Sequence, residues 1–381
     1  MASQITATGL AKQQDLPSLT GESAEPALAR VPDTLTINQA VQRAIQWHPD
    51  IAEAVGKLLE QADQVDVAKA KYYPQVSAGM NNGYSNSYSE KGFSPSFVLS
   101  VSQMLYDFGK VSSSVRSAEA GVAQQQANVL LSIDTVAHDT AAALIQVQGY
   151  QQLVKMPLVK KVSDDFPASL TRSCDVAKAD DRTNPAVLAA WAQANEAQAK
   201  LDNANAQMLP TISLEPQVTH YLNNHYANSE TLDRTQYSTW VKVEMPLYQG
   251  GGMTASRNAA ANALNAANAA VNSARLKARQ QLSESQSQSQ SLALSLAIQA
   301  RQQRLGEKTQ SLYQDQYLQL GTRPLLDVLN AEQEVFQTRF TLQQTISQLR
   351  SLQLDCLYST GHMRSAFALN NQRIQSVEIQ P

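Results

Sequence analysis

The sequence predicts a mainly helical protein with a small, membrane-type β part, built from one unit repeated twice. Three observations predict it. Two long segments align with each other, three runs alternate strictly between apolar and polar residues, and two helical runs are far longer than a globular domain uses.

The chain has 381 residues, with 6% aromatic and 17% charged residues. Such a composition is short of bulky apolar groups for a thick core. It suits long, narrow seams between helices. The formal charge of −3 comes without a basic patch, so nucleic acid is not a partner to expect. No run of 18 apolar residues appears, so no membrane-spanning helix is expected. Residues 1–33 lack a basic and apolar export signal and read as a disordered tail. Cys174 and Cys356 make no metal or redox spacing.

The repeat comes first. "HPDIAEAVGKLLEQADQVDVAKAKYYPQVSAG" (48–79) aligns without a gap to "NPAVLAAWAQANEAQAKLDNANAQMLPTISLE" (184–215). Pro49 matches Pro185 and Pro74 matches Pro210, both at an offset of 136; Tyr106 matches Tyr248 at 142. The repeats are expected over 34–183 and 184–363, with a C-terminal tail at 364–381. In each, Pro opens a helix at its first position and a second Pro stops it. Two strands and a much longer helix follow.

"SFVLSVSQMLY" (96–106) sets Phe97, Leu99 and Val101 against Ser96, Ser100 and Ser102. "YSTWVKVEMPLY" (237–248) sets Tyr237, Val241 and Val243 against Ser238, Lys242 and Glu244, and "TISLEPQVTHY" (211–221) alternates likewise. The first strand, "QVSAGMNNGYSNSYS" (75–89), is the most polar. Strands near ten residues with a clean dyad fit a transmembrane barrel, with Phe97, Leu99, Val101, Val241 and Val243 facing lipid. A half-exposed antiparallel sheet of a soluble protein is the plainer alternative. Four strands cannot close a barrel, which needs about eight, so the barrel reading requires strands from other copies.

From Lys110 to about Val154, Val111, Val115, Ala118, Val122, Val129, Ile133, Val136, Leu144 and Val147 recur at steps of mostly three and four. A second long helix is expected from Thr254 to about Leu318, with a polar middle, "QLSESQSQSQSLALSLAIQ". A helical tube with water on two sides would suit it; a coiled-coil stalk is the alternative. Gly109 and Gly250, Gly251 and Gly252 sit where strand must turn into helix, and are expected to act as hinges.

With these motifs in place, "AKYYPQVSAG" and "AQMLPTISLE", "LYDFGK" and "LYQGGG", and "GTRPLLDVLNAEQEVFQ" (321–337), the chain resembles the TolC-like outer membrane efflux proteins. The resemblance implies a homotrimer with a 12-stranded outer membrane barrel on a periplasmic α-helical tunnel. It implies a passive exit duct, for efflux or type I secretion. The implied partners are a periplasmic adaptor (membrane fusion) protein and an inner-membrane ABC or proton-driven transporter. It implies neither a cofactor nor a metal, and no enzyme activity. The lack of a lipid-anchor cysteine near the N-terminus favours the secretion-type branch. At the family's periplasmic aperture, basic and acidic residues hold helices together. Arg323 matches the basic residue and Asp327 one aspartate of the constriction ring; Asn330 stands at the second ring position. Asp175 aligns as the acidic partner of Arg323, with Cys174 where a threonine hydroxyl is expected. Ordinary solvated helix-end residues would have the same spacing.

One region departs from the pattern. The second repeat has a returning helix from Pro324 to Ser359, but in the first "DVAKADDR" leads straight into "TNPAVLAAW". Roughly 25–30 helical residues are absent, about 40 Å of wall. Two further readings therefore stand: a soluble or periplasmic helical scaffold or adaptor, and a truncated, inactive member of the family. The five histidines form no metal-ligand set, no nucleophile or phosphate loop appears, and "NNHYANSETLDR" (223–234) is expected to form an external loop.

Overall fold

The computed structural model describes residues 34–87, 90–93, 95–153, 161–163, 165–176, 183–223, 233–370, 373–375 and 377–378. The expected N-terminal tail, nearly all of the external loop and parts of the C-terminal tail lie outside these residues.

The first repeat opens with β1 (Thr34–Leu35) and α1 (Ile37–Trp47). Thr36 caps α1: its hydroxyl accepts from the Gln39 amide, while the Gln39 side chain accepts from the Thr36 amide. Ile37, Val41 and Ile45 then form one buried face. α2 (Pro49–Ala70) begins at its proline, as expected, and ends short of Pro74. The strand expected over 75–89 is broken. β2 (Gln75–Asn81) stops at Asn82 and Gly83, and β3 (Tyr84–Ser87) and β4 (Glu90–Phe93) form a separate antiparallel pair. β5 (Ser96–Tyr106) leads into α3 (Lys110–Leu153).

The first half then departs from the second. β6 (Lys161–Val162) pairs in parallel with β1. Two single turns, α4 (Ala168–Thr171) and α5 (Ser173–Val176), take the place of a returning helix. Pro167 stands at the N-cap of α4 and not inside a helix, as its fixed φ and missing N–H require.

The second repeat keeps the full pattern: α6 (Pro185–Ala206), β7 (Thr211–Tyr221), β8 (Thr235–Glu244), α7 (Gly252–Leu318) and α8 (Leu325–Ser359). α7 has 67 residues, so it spans about 100 Å. The short α9 (Met363–Ala366) and the antiparallel pair β9 (Arg373–Ile374) and β10 (Val377–Glu378) follow. Among the described residues no helix is long and apolar enough to cross a membrane.

The chain divides into two compact units, and neither is a single repeat. One is Leu59–Gln124 with Ala192–Asn268. It contains the four-stranded sheet in the order β2-β5-β7-β8, antiparallel throughout, so the two repeats join at the β5–β7 ladder. Ala68, Val111 and Val115 form its helical core, with Met104 and Ala118 against it. The other unit lies within Met1–Leu58, Gln125–Trp191 and Ala269–Pro381. Here α3 buries Val129, Ile133, Val136, Ala137, Ala141 and Ile145. The expected Leu144 and Val147 give way to Ala141 and Ile145, and Val147 is exposed.

Candidate functional site

The sheet has two unlike faces. In an antiparallel ladder, residues directly opposite share a face. Val76 lies opposite Val101, Ala78 opposite Leu99 and Met80 opposite Phe97. Leu99 lies opposite Val218, which lies opposite Tyr237. Leu214 faces Val241 and Ile212 faces Val243. These residues make one apolar face, and it is open: Met80 is 72% exposed, Val241 65% and Val243 66%. Phe97 and Leu99 are also exposed, and Val101 is half-buried. All five residues expected to face lipid thus share this face.

The other face carries Ser77, Ser100, Gln217, Glu215, Ser238, Lys242 and Glu244. The Ser77 and Ser100 hydroxyls are 2.7 Å apart. The Lys242 ammonium lies 2.9 Å from Glu244 and 3.9 Å from Glu215. Trp240 lies opposite Glu215 and belongs to this polar face. Among the described residues β2 and β8 each have a partner on one side only, so both sheet edges are unpaired there.

The strand-to-helix junctions are built as the repeat suggests, with one correction. Gly109 has φ of 95°, Gly250 60° and Gly251 81°, a region that costs little only for glycine. Gly252 is no such hinge; it is the first residue of α7. The junction has a further part that its motif carried unnoticed. Asp107, buried, accepts from the Gly109 and Val111 amides and so caps the start of α3. Phe108 takes φ of 55°, unusual for a bulky residue, and its ring meets Tyr106 edge-on.

In the other unit, the α7–α8 turn brings two of the aperture residues together. Gly321 has φ of 61°, and Pro324 stands at the N-cap of α8. Arg323 lies between them. Its Nη1 donates to Asp327 Oδ2 at 3.1 Å, its Nε donates to Gln316 Oε1 at 3.0 Å, and its guanidinium lies 4.1 Å over the Tyr313 ring. Asn330 is exposed on α8.

Cys174 and Asp175 are not there. Cys174 is disulfide-bonded to Cys356, near the opposite end of α8, about 45 Å along the helix from Arg323. The expected Asp175–Arg323 pairing within one chain is therefore corrected. Among the described residues the first repeat has no returning helix to carry Asp175 to the turn, and Asp175 stays in α5, next in sequence to the disulfide. Cys174 is no hydroxyl substitute; with Leu282 and Cys356 it forms a small core. The pairing was invisible because a disulfide depends on which Cα atoms the fold brings close, here 5.3 Å across 182 residues of sequence.

A polar cluster, buried at Asp134 and Arg364 and half-buried at His138 and Asp355, joins α3, α8 and α9; its nearest sequence signal is the pair Asp134 and His138, four residues apart. Asp134 is fully buried, with Arg364 Nε 3.3 Å from Oδ2. Burial pushes the Asp134 carboxyl up to about 7, against the pull of the Arg364 guanidinium. His138 Nε2 lies 2.8 Å from Asp355 and Nδ1 3.0 Å from Asp139. Burial alone would lower its pKa, but the bonds to Asp355 and Asp139 outweigh that and raise it. Among the described residues no group of acidic, histidine and cysteine side chains could hold a metal.

The profile of the outer membrane efflux protein family matches residues 40–158 and 181–354, more than half of the chain. The unmatched stretch between them is where the first repeat lacks its returning helix. No curated protein matches by sequence. Solved structures do match. The outer membrane protein VceC of Vibrio cholerae superposes with a TM-score of 0.63 at 16% identity, covering 85% of this chain and 96% of that one. The CmeC outer membrane channel of Campylobacter jejuni gives 0.66 at 11% identity, over 86% of this chain and 85% of that one. The open state of the MtrE outer membrane channel of Neisseria gonorrhoeae gives 0.61 at 17% identity, over 86% and 89%. The two-faced sheet, the glycine junctions and the long helices of a twice-repeated unit agree with these matches, and the chain belongs to the outer membrane efflux protein family.

Proposed function

We propose that three copies of this chain form a passive duct across the outer membrane. Each copy contributes four strands to a twelve-stranded barrel and its long helices to a tunnel. The observation that carries this reading is the sheet: an exposed apolar face, a polar opposite face, and two unpaired edges. Exposed valine, leucine and phenylalanine over a whole face are costly in water and favourable in lipid. Unpaired edges invite pairing with another copy, and only a closed barrel leaves no backbone group unsatisfied in a bilayer. The soluble-scaffold alternative has no place for that face.

In this reading the polar face lines the lumen. The tunnel joins an adaptor and an inner-membrane transporter, for efflux or type I secretion. The Arg323–Asp327 turn forms the far aperture, where three copies of each charge, with Asn330, ring the exit. The test is particle mass in detergent together with conductance in planar bilayers. Stable trimers that conduct are expected. A monomer, or a trimer that does not conduct, would mean that the shortened first repeat has cost the chain its duct.

A further inference from the structure

Among the described residues the tip of the α7–α8 hairpin stands without a first-repeat neighbour. The last turns of α3 reach α8 at Ser347 and Arg350: the Ser347 hydroxyl abuts Gly149, and Arg350 Nη1 donates to Gln148 Oε1 at 2.6 Å. α3 ends at Leu153. From that level α8 runs on to Leu325, about 30 Å away, with α7 beside it. Gly306 against Val335, and the Glu307–Arg339 ion pair at 2.7 Å, fix their register.

The two flanks of this tip differ. On one, α7 exposes Leu294, Ile298, Leu305 and Leu312, spaced by four and seven as in a coiled-coil seam. Ile298, Leu305, Gly306 and Thr309, with Ala331 and Glu334 of α8, line a groove of about 430 Å³. On the other flank α8 exposes Leu329, Phe336 and Phe340, Phe336 to 62%. Val335 points inward at Gly306. At about 100° per residue, Glu334 and Ala331 turn to the groove side and Leu329, Phe336 and Phe340 to the far side. Arg301, in the groove wall, and Lys308, seven residues on, border the α7 stripe, while Glu332 borders the α8 ridge.

A groove on one flank and an apolar ridge on the other cannot complement themselves across a two-fold axis. They complement a second copy head to tail, the arrangement that closes rings. We propose that the groove is filled by the Leu329–Phe336–Phe340 ridge of the neighbouring copy, with Glu332 brought toward Arg301 and Lys308. The aperture is then a ring of three hairpins in direct contact, and the missing first-repeat helices leave no gap because neighbouring hairpins close over it. The inference rests on the trimeric reading above.

The test uses the full chain, whose two cysteines are already paired. Leu305→Cys and Phe336→Cys are introduced together, and detergent-purified trimers are oxidised. Covalent dimers and trimers are expected from the double variant and from neither single variant. Particles of trimeric mass that stay monomeric on a denaturing gel would overturn the inference and leave the duct intact. Cross-linking by Phe336→Cys alone would overturn it as well, by placing ridge against ridge. Loss of trimeric mass in the unsubstituted chain would remove the reading beneath it.

Discussion

Replacing Cys174 and Cys356 together by alanine should loosen the segment that stands in for the missing helix. The bridge closes a loop across 182 residues of sequence. By chain entropy, cross-linking a loop of that size stabilises by about 5 kcal/mol at 25 °C, as an upper value. What else holds the segment is modest. The Gln353 side chain donates to the Thr171 carbonyl at 3.0 Å and the Gln286 side chain to the Cys174 carbonyl at 3.1 Å, and Ser173 donates to the Gln353 carbonyl. Each contributes about 1 kcal/mol. Burial of Leu170, 1% exposed, adds about 2 kcal/mol. Single-turn helices such as α4 and α5 have no stability of their own. With a urea slope of about 3 kcal/mol per molar, the midpoint should fall by about 1.5 M. Trp47 and Trp191 both lie in this unit and would report it by fluorescence. Hydrogen exchange over residues 168–176 should rise in parallel, and reductant should reproduce both effects. A midpoint unchanged in the double variant, with exchange unaltered, would refute the argument that this bridge secures the segment.

Three further outcomes are expected. Val101→Arg puts a cation on the apolar face opposite Val76; at about 2–4 kcal/mol per copy near the bilayer centre it should abolish heat-resistant trimers in outer membrane fractions, and normal trimers would count against the lipid-facing assignment. Arg323→Ser removes a half-buried ion pair together with the Gln316 hydrogen bond and the Tyr313 ring contact, each worth about 1 kcal/mol or less, so melting should fall only slightly while conductance of reconstituted protein rises; unchanged conductance would dismiss the aperture role. Asp134 binds its proton more tightly folded than unfolded, so its stabilisation is complete below about pH 4 and is lost as pH rises to about 7, by up to about 4 kcal/mol. His138, also raised, adds a loss in the same direction as pH climbs through its folded value. Asp134→Asn should therefore flatten the fall in melting temperature from pH 5 to 8, which thermal scans at several pH values would read.

The elements the sequence made plain are those whose signal is local. Pro49, Pro185 and Pro324 fix helix starts through φ alone, and the alternation of 96–106 declares its two faces without reference to a partner. Gly250 and Gly251 mark a turn because few other residues take that conformation. The capping box at Thr36 and Gln39 is equally local, and it opens the short α1. Other features belong to the tertiary fold. The break at Asn82 hides in a polar stretch where strand and loop look alike. The Cys174–Cys356 bridge and the Asp134–Arg364 pair join residues that only folding brings near. Asp175 lies away from the aperture for a related reason. Its motif reaches the turn only on a returning helix, which the described residues of the first repeat lack, and it sits instead at the other end of α8.

The β5–β7 ladder has a consequence for how the protein is made. Its two strands come from different repeats, and in the proposed trimer the outer strands β2 and β8 pair with other chains. The β2–β5 hairpin can form once Tyr106 is made, but the β5–β7 ladder must wait for Tyr221, and in the proposed trimer the wall finishes only with other copies. A newly made copy carries two rows of unused amides and carbonyls beside an oily face, so its yield should depend on concentration and on how quickly siblings arrive. Dilution would then favour the same edges pairing wrongly, and a surplus of isolated copies would be a hazard to the cell rather than a reserve.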